Sequence, residues 1–444
     1  MTRYRTTAII AAAATLTGVA AVAAATTPTW HTGVAVSAES PLTAGALGAN
    51  GDALAAGAVS IGSPWSYVEV ASRKGFTGPW VDTLLTNGLP TTVGVAAGLN
   101  DTGTGVVAWR LYGGHVRAAY RAGANGSWVT ATVPYGYPAR SPDDFGSPSA
   151  SVAANGAVTL NWVARENTGW AIRSAFRSGP RAAWRATPGF VVAIPTGHLV
   201  RSVSVAGNAA GDAVATWRVT PASSQTGTVY VAVRAVHHAW GSPVALPGTS
   251  ESAASVAIST NRRTVVTWSS WHVVNGVNVY DARLAKSLAT SGHWTAPVWL
   301  TPGIVTGIAI NSHGALSALV AVPRATTPVS YVLSATVSPN GTTWTPQTVL
   351  SRSRLTNMQV TLGNSGQAAA AFTAFGVNLP RRVRLATARL SGAWTGTSLL
   401  GQSAVGLTAD QTGQALALTA TAHGTAAASF DGITRLAADP PAGK

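Results

Sequence analysis

One structural unit of about 50 residues recurs along this chain of 444 residues. Its first marker is a short apolar run that ends in Asn or Asp, with a Gly close by. The Asn and Asp members of the eight copies are Asn50, Asn100, Asn155, Asn208, Asn261, Asn311, Asn364 and Asp410. Because Asn, Asp and Gly tolerate the left-handed backbone of tight hairpin turns, each copy predicts a turn between two strands.

Two further markers follow in register. The second is an alternating run that often ends in an aromatic residue, as in Val106 to Trp109 and Val214 to Trp217. The third is a Gly-containing turn before a Trp, and these Trp stand at positions 80, 128, 184, 240, 294, 344 and 394. One unit therefore reads as strand A, an Asn/Gly turn, strand B, a variable loop, strand C, a Gly turn and a Trp-led strand D. Four short antiparallel strands per repeat are typical of a β-propeller blade. A helical solenoid is the competing repeat class, but period-3.6 patterns and good helix formers are missing.

The last unit begins near Ser403 and lacks a Trp-led strand D. At the other end of the chain, the run from Trp30 to Val36 resembles the strand D that begins at Trp240. We therefore predict that the N-terminal strand completes the last blade, closes the ring and covers an edge that would otherwise favour aggregation. Eight Trp then match eight turns. The prediction is an all-β propeller of eight four-stranded blades, with seven blades as the alternative if the C-terminal unit is degenerate.

Two motifs resemble known propeller families. The S-x-N-G-x-x-W turn from Ser338 to Trp344 resembles a shortened Asp-box, the C–D turn of sialidase-type propellers. Eight Trp that lead outer strands resemble the tryptophan-docking propellers of quinoprotein dehydrogenases and their non-catalytic scaffold relatives. The resemblance covers residues 29 to about 435 and implies a fold rather than a function.

The N-terminal segment of the sequence predicts that the protein is exported. Arg3 and Arg5 precede an Ala-rich apolar stretch, and residues 21–25 supply the small side chains that a signal peptidase needs. A transmembrane anchor is the alternative, but an Ala-rich stretch this short spans a bilayer poorly. We expect a signal peptide at 1–26, one propeller domain at 27–436, a disordered tail at 437–444 and no transmembrane anchor. The protein is then secreted and extracellular, with attachment to the cell wall as an alternative to free release.

Charge and cysteine content limit the partners. The chain has no Cys, which excludes disulfides and thiolate-ligated zinc or iron–sulfur sites. Its net charge is +15, and Arg supplies most of the basic residues. A GC-rich genome also produces high Arg use, but in either case the surface attracts anions. For an exported protein these are cell-wall polymers, acidic glycans or lipid headgroups. We expect no nucleic-acid partner, because no Lys/Arg-rich tract is present.

Catalytic signals are weak. Retaining glycosidases need two carboxylates that face the substrate. Glu69 lies close to Tyr67, but both fall on a predicted strand C, and we interpret them as surface residues of that strand. The resemblance to quinoprotein enzymes implies a calcium site and usually a vicinal Cys pair, and the chain has no Cys. Asp143-Asp144 has the oxygen ligands of a calcium site, but a solvated loop tip is the preferred interpretation. His237 and His238 precede a Trp-led strand D, and because adjacent residues of a strand point to opposite faces, we do not expect the two rings to share one metal. We predict no catalytic residue, no metal and no cofactor.

The binding prediction rests on what does not repeat. In a propeller, the A–B and C–D turns lie on one face, and the B–C loops and D–A crossings lie on the other. Here the second face varies and carries aromatic and Arg side chains, which binding surfaces use. The predicted binding residues are Tyr112, Arg165, Glu166, Trp170, Arg218, Trp271, His272, Arg324, Arg381 and Arg382. We expect a monomeric, non-enzymatic scaffold that binds a protein or an anionic cell-wall glycan there. A glycoside-processing enzyme on a sialidase-like propeller is the alternative.

An Arg near the end of strand C also recurs. Its members are Arg73, Arg121, Arg177, Arg234, Arg283 and Arg389. Because this Arg repeats from unit to unit, we interpret it as a structural feature of the blade rather than as part of a site.

Overall fold

The described part of the chain consists of strands and turns. A computed structural model describes residues 30–37, 42, 44–48, 50–62, 65–75, 78–90, 92–111, 115–134, 148–166, 169–179, 182–192, 196–236, 238–250, 254–275, 277–288, 293–324, 330–375, 382–390, 394–399, 403–409, 415–421 and 424–430. Within these ranges there is no helix with the length and apolar character needed to cross a membrane. The predicted signal peptide at 1–26 and the predicted tail at 437–444 lie outside the described residues.

Consecutive strands pair antiparallel in groups of four, and we call each group a blade. Blade 1 contains β2 (Ala44–Leu47), β3 (Ala53–Gly62), β4 (Trp65–Arg73) and β5 (Trp80–Pro90), and blade 2 contains β6 (Thr92–Leu99), β7 (Gly105–Leu111), β8 (Val116–Arg121) and β9 (Val129–Thr132). Blade 3 contains β10 (Ser149–Val152), β11 (Val158–Glu166), β12 (Gly169–Arg177) and β13 (Arg185–Val192). Blade 4 contains β14 (His198–Gly207), β15 (Ala213–Pro221), β16 (Gly227–Arg234) and β17 (Val244–Ser250). The four strands of each blade take the places of the predicted strands A to D.

The second half of the chain continues this pattern. Blade 5 contains β18 (Ser255–Ile258), β19 (Arg263–Val274), β20 (Val277–Leu288) and β21 (Val298–Pro302), and blade 6 contains β22 (Ile304–Ile310), β23 (Leu316–Arg324), β24 (Ser330–Ser338) and the first part of β25 (Thr348–Leu362). Blade 7 contains the rest of β25, β26 (Gln367–Phe375), β27 (Arg382–Arg389) and β28 (Thr395–Leu399). Blade 8 contains β29 (Ser403–Ala409), β30 (Ala415–Thr421), β31 (Gly424–Phe430) and β1 (Trp30–Ser37).

Strand β25 belongs to two blades. Residues up to Ser353 pair with β24, and residues from Arg354 pair with β26, so that blades 6 and 7 form one seven-stranded sheet. The sequence predicts an outer strand and a separate inner strand here. Neither Gly nor Pro interrupts residues 348–362, so nothing in the local sequence breaks the extended backbone.

The N-terminal strand lies beside the last strand of the chain. Strand β1 pairs antiparallel with β31, with Trp30 opposite Phe430 and Ala35 opposite Ala426. Blade 8 contacts blade 7 through β29, and it contacts blade 1 through β29 and β30 against β2. The outer strand that the last unit lacks is therefore supplied from the start of the described chain.

The hydrophobic core lies between neighbouring blades. Trp162 packs with Val106 and Ala108 of blade 2, and Trp268 packs with Val214 and Val231 of blade 4. In blades 1 to 7, the Trp that precedes or begins strand D packs against a hydrophobic cluster; Trp128, for example, packs against Leu54 and Val68 of blade 1. The recurrent Trp therefore help to hold one blade against the next, since each buried Trp removes roughly 150–250 Å² of surface from water.

Hydrogen bonds from the A–B turns also join neighbouring blades. In Asn100, Asn208 and Asn311, Oδ1 accepts hydrogen bonds of 2.9–3.1 Å from the backbone N–H groups two and four residues further on. Their Nδ2 groups donate to the next blade, at 2.9 Å to the carbonyl of Ala153, 2.8 Å to that of Ser259 and 3.3 Å to that of Gly363. These Asn residues therefore stabilise both their own turn and the contact with the next one.

The left-handed backbone that the turns require is taken mainly by glycine. Gly103, Gly211 and Gly314 have φ of 78°, 88° and 85°. The turn after Ile258 contains no glycine, and there Arg262 takes φ of 67°. An Arg in this region is strained, and its contact with Asp212 of blade 4 holds it in place. The turn at Asp410 lies outside the described residues.

The same turns line a cavity that inner strands of seven blades share. It has a volume of about 230 Å³, and its lining includes Leu47, Leu99, Val152, Ile258, Ile310 and Leu362, together with Asn208. The cavity touches an inner strand or an A–B turn of each of blades 1 to 7. This arrangement is expected around the axis of a propeller.

The Arg near the end of strand C forms part of the blade at several positions. Arg73, Arg121 and Arg234 lie over the rings of Trp80, Trp128 and Trp240, with the guanidinium carbon 5.2, 5.1 and 5.7 Å from the ring centre. Arg283 differs, because it pairs with Trp268 in the middle of β20, and Ser287 occupies the position that matches Arg73. Including Arg283 in the recurrent set was therefore wrong.

Candidate functional site

The hairpin between β19 and β20 extends beyond the buried core at the B–C end of blade 5. Residues 264–270 of β19 are buried, whereas residues 271–274 are exposed. Both strands have twelve residues, and their pairing continues to Val274 opposite Val277. The hairpin therefore places the side chains of its last residues at the surface.

Two residues predicted from the sequence lie on this hairpin. Trp271 is 37% exposed and lies opposite Tyr280, and His272 is exposed and lies opposite Val279. Successive residues of a strand point to opposite faces, so Trp271 and His272 lie on different sides of the hairpin.

The side of His272 carries a polar and aromatic group around Asp281. The Nδ1 atom of His272 lies 3.2 Å from Oδ2 of Asp281. The Nε1 atom of Trp299 donates to Oδ1 of the same carboxylate at 3.3 Å. Trp299, on the outer strand β21, is 60% exposed although its N–H is bound. We call His272, Asp281, Arg283 and Trp299 the blade-5 cluster.

Arg283 extends the blade-5 cluster toward blade 4. Its Nε atom donates to Oγ of Ser270 at 3.2 Å. A Cβ atom built on Gly248 of β17 would lie 4.0 Å from Nη1 of Arg283. The guanidinium therefore lies where the surface of blade 5 meets the outer strand of blade 4.

The blade-5 cluster combines three kinds of group that recognise a polar ring. The indole ring of Trp299 offers an apolar face, and its polar tip is fixed by Asp281. Asp281 accepts hydrogen bonds, and Arg283 donates them. His272 forms an ion pair with Asp281 when its imidazole is protonated. A sugar has both a face of C–H groups and a rim of hydroxyls, so this surface matches its chemistry.

The other predicted residues do not join the blade-5 cluster. Arg324 and Arg382 are exposed at the B–C ends of blades 6 and 7. Arg218 lies within β15 rather than in a loop; it is buried, and its Nη1 atom donates to the carbonyl of Ser250 at 3.3 Å.

Several predicted residues have no described side chain. Arg165, Glu166 and Trp170 end the hairpin of blade 3, with Arg165 opposite Trp170, and only their backbone is described. Tyr112, Arg381, Asp143-Asp144 and His237 lie outside the described residues. Within the described part of the chain, no group of three or more His, Asp and Glu is close enough to hold a metal ion.

Sequence reasoning missed Asp281 and Trp299. The positions of the Trp residues could have drawn attention to Trp299. Eight of the sixteen Trp belong to the strand D series, and four more end strand B. The four outside both series are Trp65, Trp170, Trp271 and Trp299. Trp65, Trp170 and Trp271 lie at B–C ends, and Trp299 lies on the outer strand of blade 5. Asp281 carries no comparable signal.

No protein-family model matches this chain, and no curated protein is similar to it in sequence. Solved structures do resemble its fold. The BP39L lectin from Burkholderia pseudomallei matches with a TM-score of 0.50 and 15% identity, over 82% of this chain and 100% of the lectin. This chain has a β-propeller-like fold. The likeness extends to the fold alone.

Two further structures are similar at lower TM-scores. The polysaccharide lyase Uly1 is 10% identical, with a TM-score of 0.48 over 81% of this chain and 91% of the lyase. The Hadza microbial sialidase Hz136 is 12% identical, with a TM-score of 0.41 over 91% of this chain and 92% of the sialidase.

Proposed function

We propose that this chain is a secreted, non-enzymatic propeller that binds an anionic cell-wall glycan through its B–C/D–A face, with the blade-5 cluster as the main contact. The observation that carries the proposal is Trp299, a large aromatic ring that is 60% exposed while Asp281 fixes its N–H. Trp is enriched among the few residues that carry most of the binding energy of a surface.

Charge supports an anionic ligand. The chain carries a net charge of +15, and Arg283 adds a guanidinium at the edge of the blade-5 cluster. A basic surface raises the local concentration of acidic polymers and speeds their association. A lectin is among the solved structures that share the fold, and a propeller is a rigid scaffold on which such a surface can be presented.

We further propose that the scaffold is a closed ring of eight blades. The pairing of β1 with β31 supports this closure, as do the contacts of blade 8 with blades 7 and 1. A closed ring leaves no inner blade face open to water, and it holds the blade-5 cluster in a fixed geometry before any ligand binds.

The Trp299→Ala variant tests the binding proposal. On an array of acidic and neutral polysaccharides, the wild-type protein should bind acidic glycans. Trp299→Ala should weaken that binding roughly 30-fold, the effect of removing an anchor worth about 2 kcal/mol. The matched control is Val349→Ala, which changes an exposed apolar side chain on the outer strand of blade 6 and should bind like the wild type. Equal binding by Trp299→Ala would contradict the proposal. Binding to proteins but to no glycan would favour a protein partner instead.

One observation favours an enzyme as the second candidate. Asp82 lies opposite Ala71 and Glu69 lies opposite Leu84, so the two carboxylates are diagonal neighbours on β5 and β4. Burial raises the pKa of the Asp82 carboxyl, and the charge of Glu69 raises it further. Glycosidases use a pair of carboxyl groups, one of which has a raised pKa. Hydrolysis of a glycan that both Glu69→Gln and Asp82→Asn abolish would establish this function in place of the first.

A further inference from the structure

A second pocket lies between blades 1 and 2, away from the blade-5 cluster. It has a volume of about 400 Å³. One wall is the outer strand β5 around Leu84, and the other is the C–D turn of blade 2 with Arg121 and Trp128. Pockets that bind small molecules have volumes of about 300–1,000 Å³, so a monosaccharide fits this space.

Arg121 is buried in the wall of this pocket without a hydrogen-bond acceptor. It is 4% exposed and lies over the ring of Trp128. Among the described residues, none accepts a hydrogen bond from its guanidinium, and its Nε is fully buried. At the same position of the repeat, Arg73 donates to the carbonyl of Gly51 at 3.5 Å, and Arg234 donates to that of Gly211 at 3.2 Å. A buried cation normally has its donors satisfied, so Arg121 is the exception among these three.

The negative charge that acts on Arg121 is that of Asp52. The negative charge of Asp52 acts on both Arg73 and Arg121. The oxygens of Asp52 already accept hydrogen bonds from the backbone N–H of Gly75 at 2.7 Å and from Nδ2 of Asn50 at 2.9 Å. Burial lowers the pKa of Arg121, and Asp52 opposes this only in part. The charge of Asp52 therefore acts on two buried guanidinium groups, those of Arg73 and Arg121.

We propose that this pocket binds a monosaccharide that carries a carboxylate, of the hexuronic acid class, and that Arg121 binds the carboxylate. A guanidinium and a carboxylate form two parallel charge-assisted hydrogen bonds, which are among the strongest in proteins. The ring of Trp128 lies beneath the guanidinium. Polar side chains that can bind the sugar hydroxyls line the same pocket, and they are Ser72, Thr83, Asn125, Ser127 and Thr130.

Titration with free sugars tests this site. Glucuronate, glucose and inorganic phosphate would each be added to the full-length protein, and affinity would be measured by calorimetry. Glucuronate should bind, and glucose should bind at least tenfold more weakly. Arg121→Gln should weaken glucuronate binding at least tenfold. Arg121→Lys should weaken it less, because the Lys ammonium keeps the positive charge but cannot form the two parallel hydrogen bonds of a guanidinium. Arg389→Gln is the control, since Arg389 also lies at the end of a strand C, in blade 7, but is exposed.

A second readout does not depend on the folding of the variants. The indole N–H signal of Trp128, assigned with Trp128→Phe, should move in ¹⁵N NMR spectra when glucuronate is added to the wild-type protein and stay in place with glucose. Trp299→Ala should leave both readouts unchanged, which separates this site from the blade-5 cluster. Equal binding of glucose and glucuronate, binding of phosphate alone, or no loss in a folded Arg121→Gln would overturn the proposal.

Discussion

Deletion of residues 27–37 is expected to lower the midpoint of thermal unfolding by roughly 10 °C and to cause aggregation. The deletion removes β1, which has five residues paired with β31. At about 1 kcal/mol for each net backbone hydrogen bond, the loss is about 5 kcal/mol. In a large domain each kcal/mol corresponds to roughly 2 °C. The bare edge of β31 then becomes a template for pairing with other chains.

Differential scanning calorimetry and light scattering would measure both effects of this deletion. The control is deletion of residues 437–444, which the sequence predicts to lie beyond the last blade and which should leave both readouts unchanged. An unchanged midpoint after deletion of residues 27–37 would show that the last blade does not depend on the N-terminal strand.

Asp212→Ala is expected to destabilise the protein by about 3–5 kcal/mol, the cost of leaving a buried charge, here the Arg234 guanidinium, without its counter-charge. Asp212 is fully buried. It accepts hydrogen bonds from Nδ2 of Asn208 at 3.1 Å, from the backbone N–H of Val236 at 2.9 Å and from Nε of Arg262 at 3.0 Å. Because Asn208 and Val236 belong to blade 4 and Arg262 to blade 5, one carboxylate holds two blades together.

Arg234 makes this substitution more severe. Burial lowers the pKa of Arg234 to about 10, and the charge of Asp212 opposes that shift. Without Asp212, the Arg234 guanidinium stays buried with no counter-charge beside it. Urea unfolding would measure the loss, with Asp101→Ala as the control at an exposed aspartate, where we expect a change below about 1 kcal/mol. Equal stability of the two variants would contradict the role assigned to Asp212.

The repeat itself could be predicted from the sequence because its markers are local. The Asn and Gly of each A–B turn and the Trp of each strand D occupy fixed offsets, so their spacing predicts four strands in each unit. Even Trp30 could be assigned to an outer strand, and the structure pairs it with Phe430. These predictions depend on turn chemistry and on strand alternation, which a short window of sequence contains.

The blade-5 cluster could be predicted only in part. Trp271 and His272 were predicted as side chains of a variable B–C loop, and the structure places them within β19. The contact of Trp299 with Asp281 depends on a register irregularity between Ala282 and Arg283, which places Trp299 opposite Arg283. A bulge of this kind is a property of the pairing and not of either strand alone. Arg218 was misplaced because the end of β15 lies at Pro221, beyond the point where the alternating pattern ends.

An engineered disulfide between β1 and β31 tests the closed ring most directly, because the chain has no Cys that could compete. Residues opposite each other in antiparallel strands have Cα atoms about 4.5–5.5 Å apart, within the range of a disulfide. Ala35 lies opposite Ala426, so the double variant Ala35→Cys/Ala426→Cys should form one internal disulfide, detected by mass spectrometry without reduction. The control is Ala35→Cys/Ala417→Cys, because Ala417 lies one strand further on β30, about 10 Å away, and should keep both thiols free. Free thiols in the first variant, or bonds between separate chains, would contradict closure of the ring by the N-terminal strand.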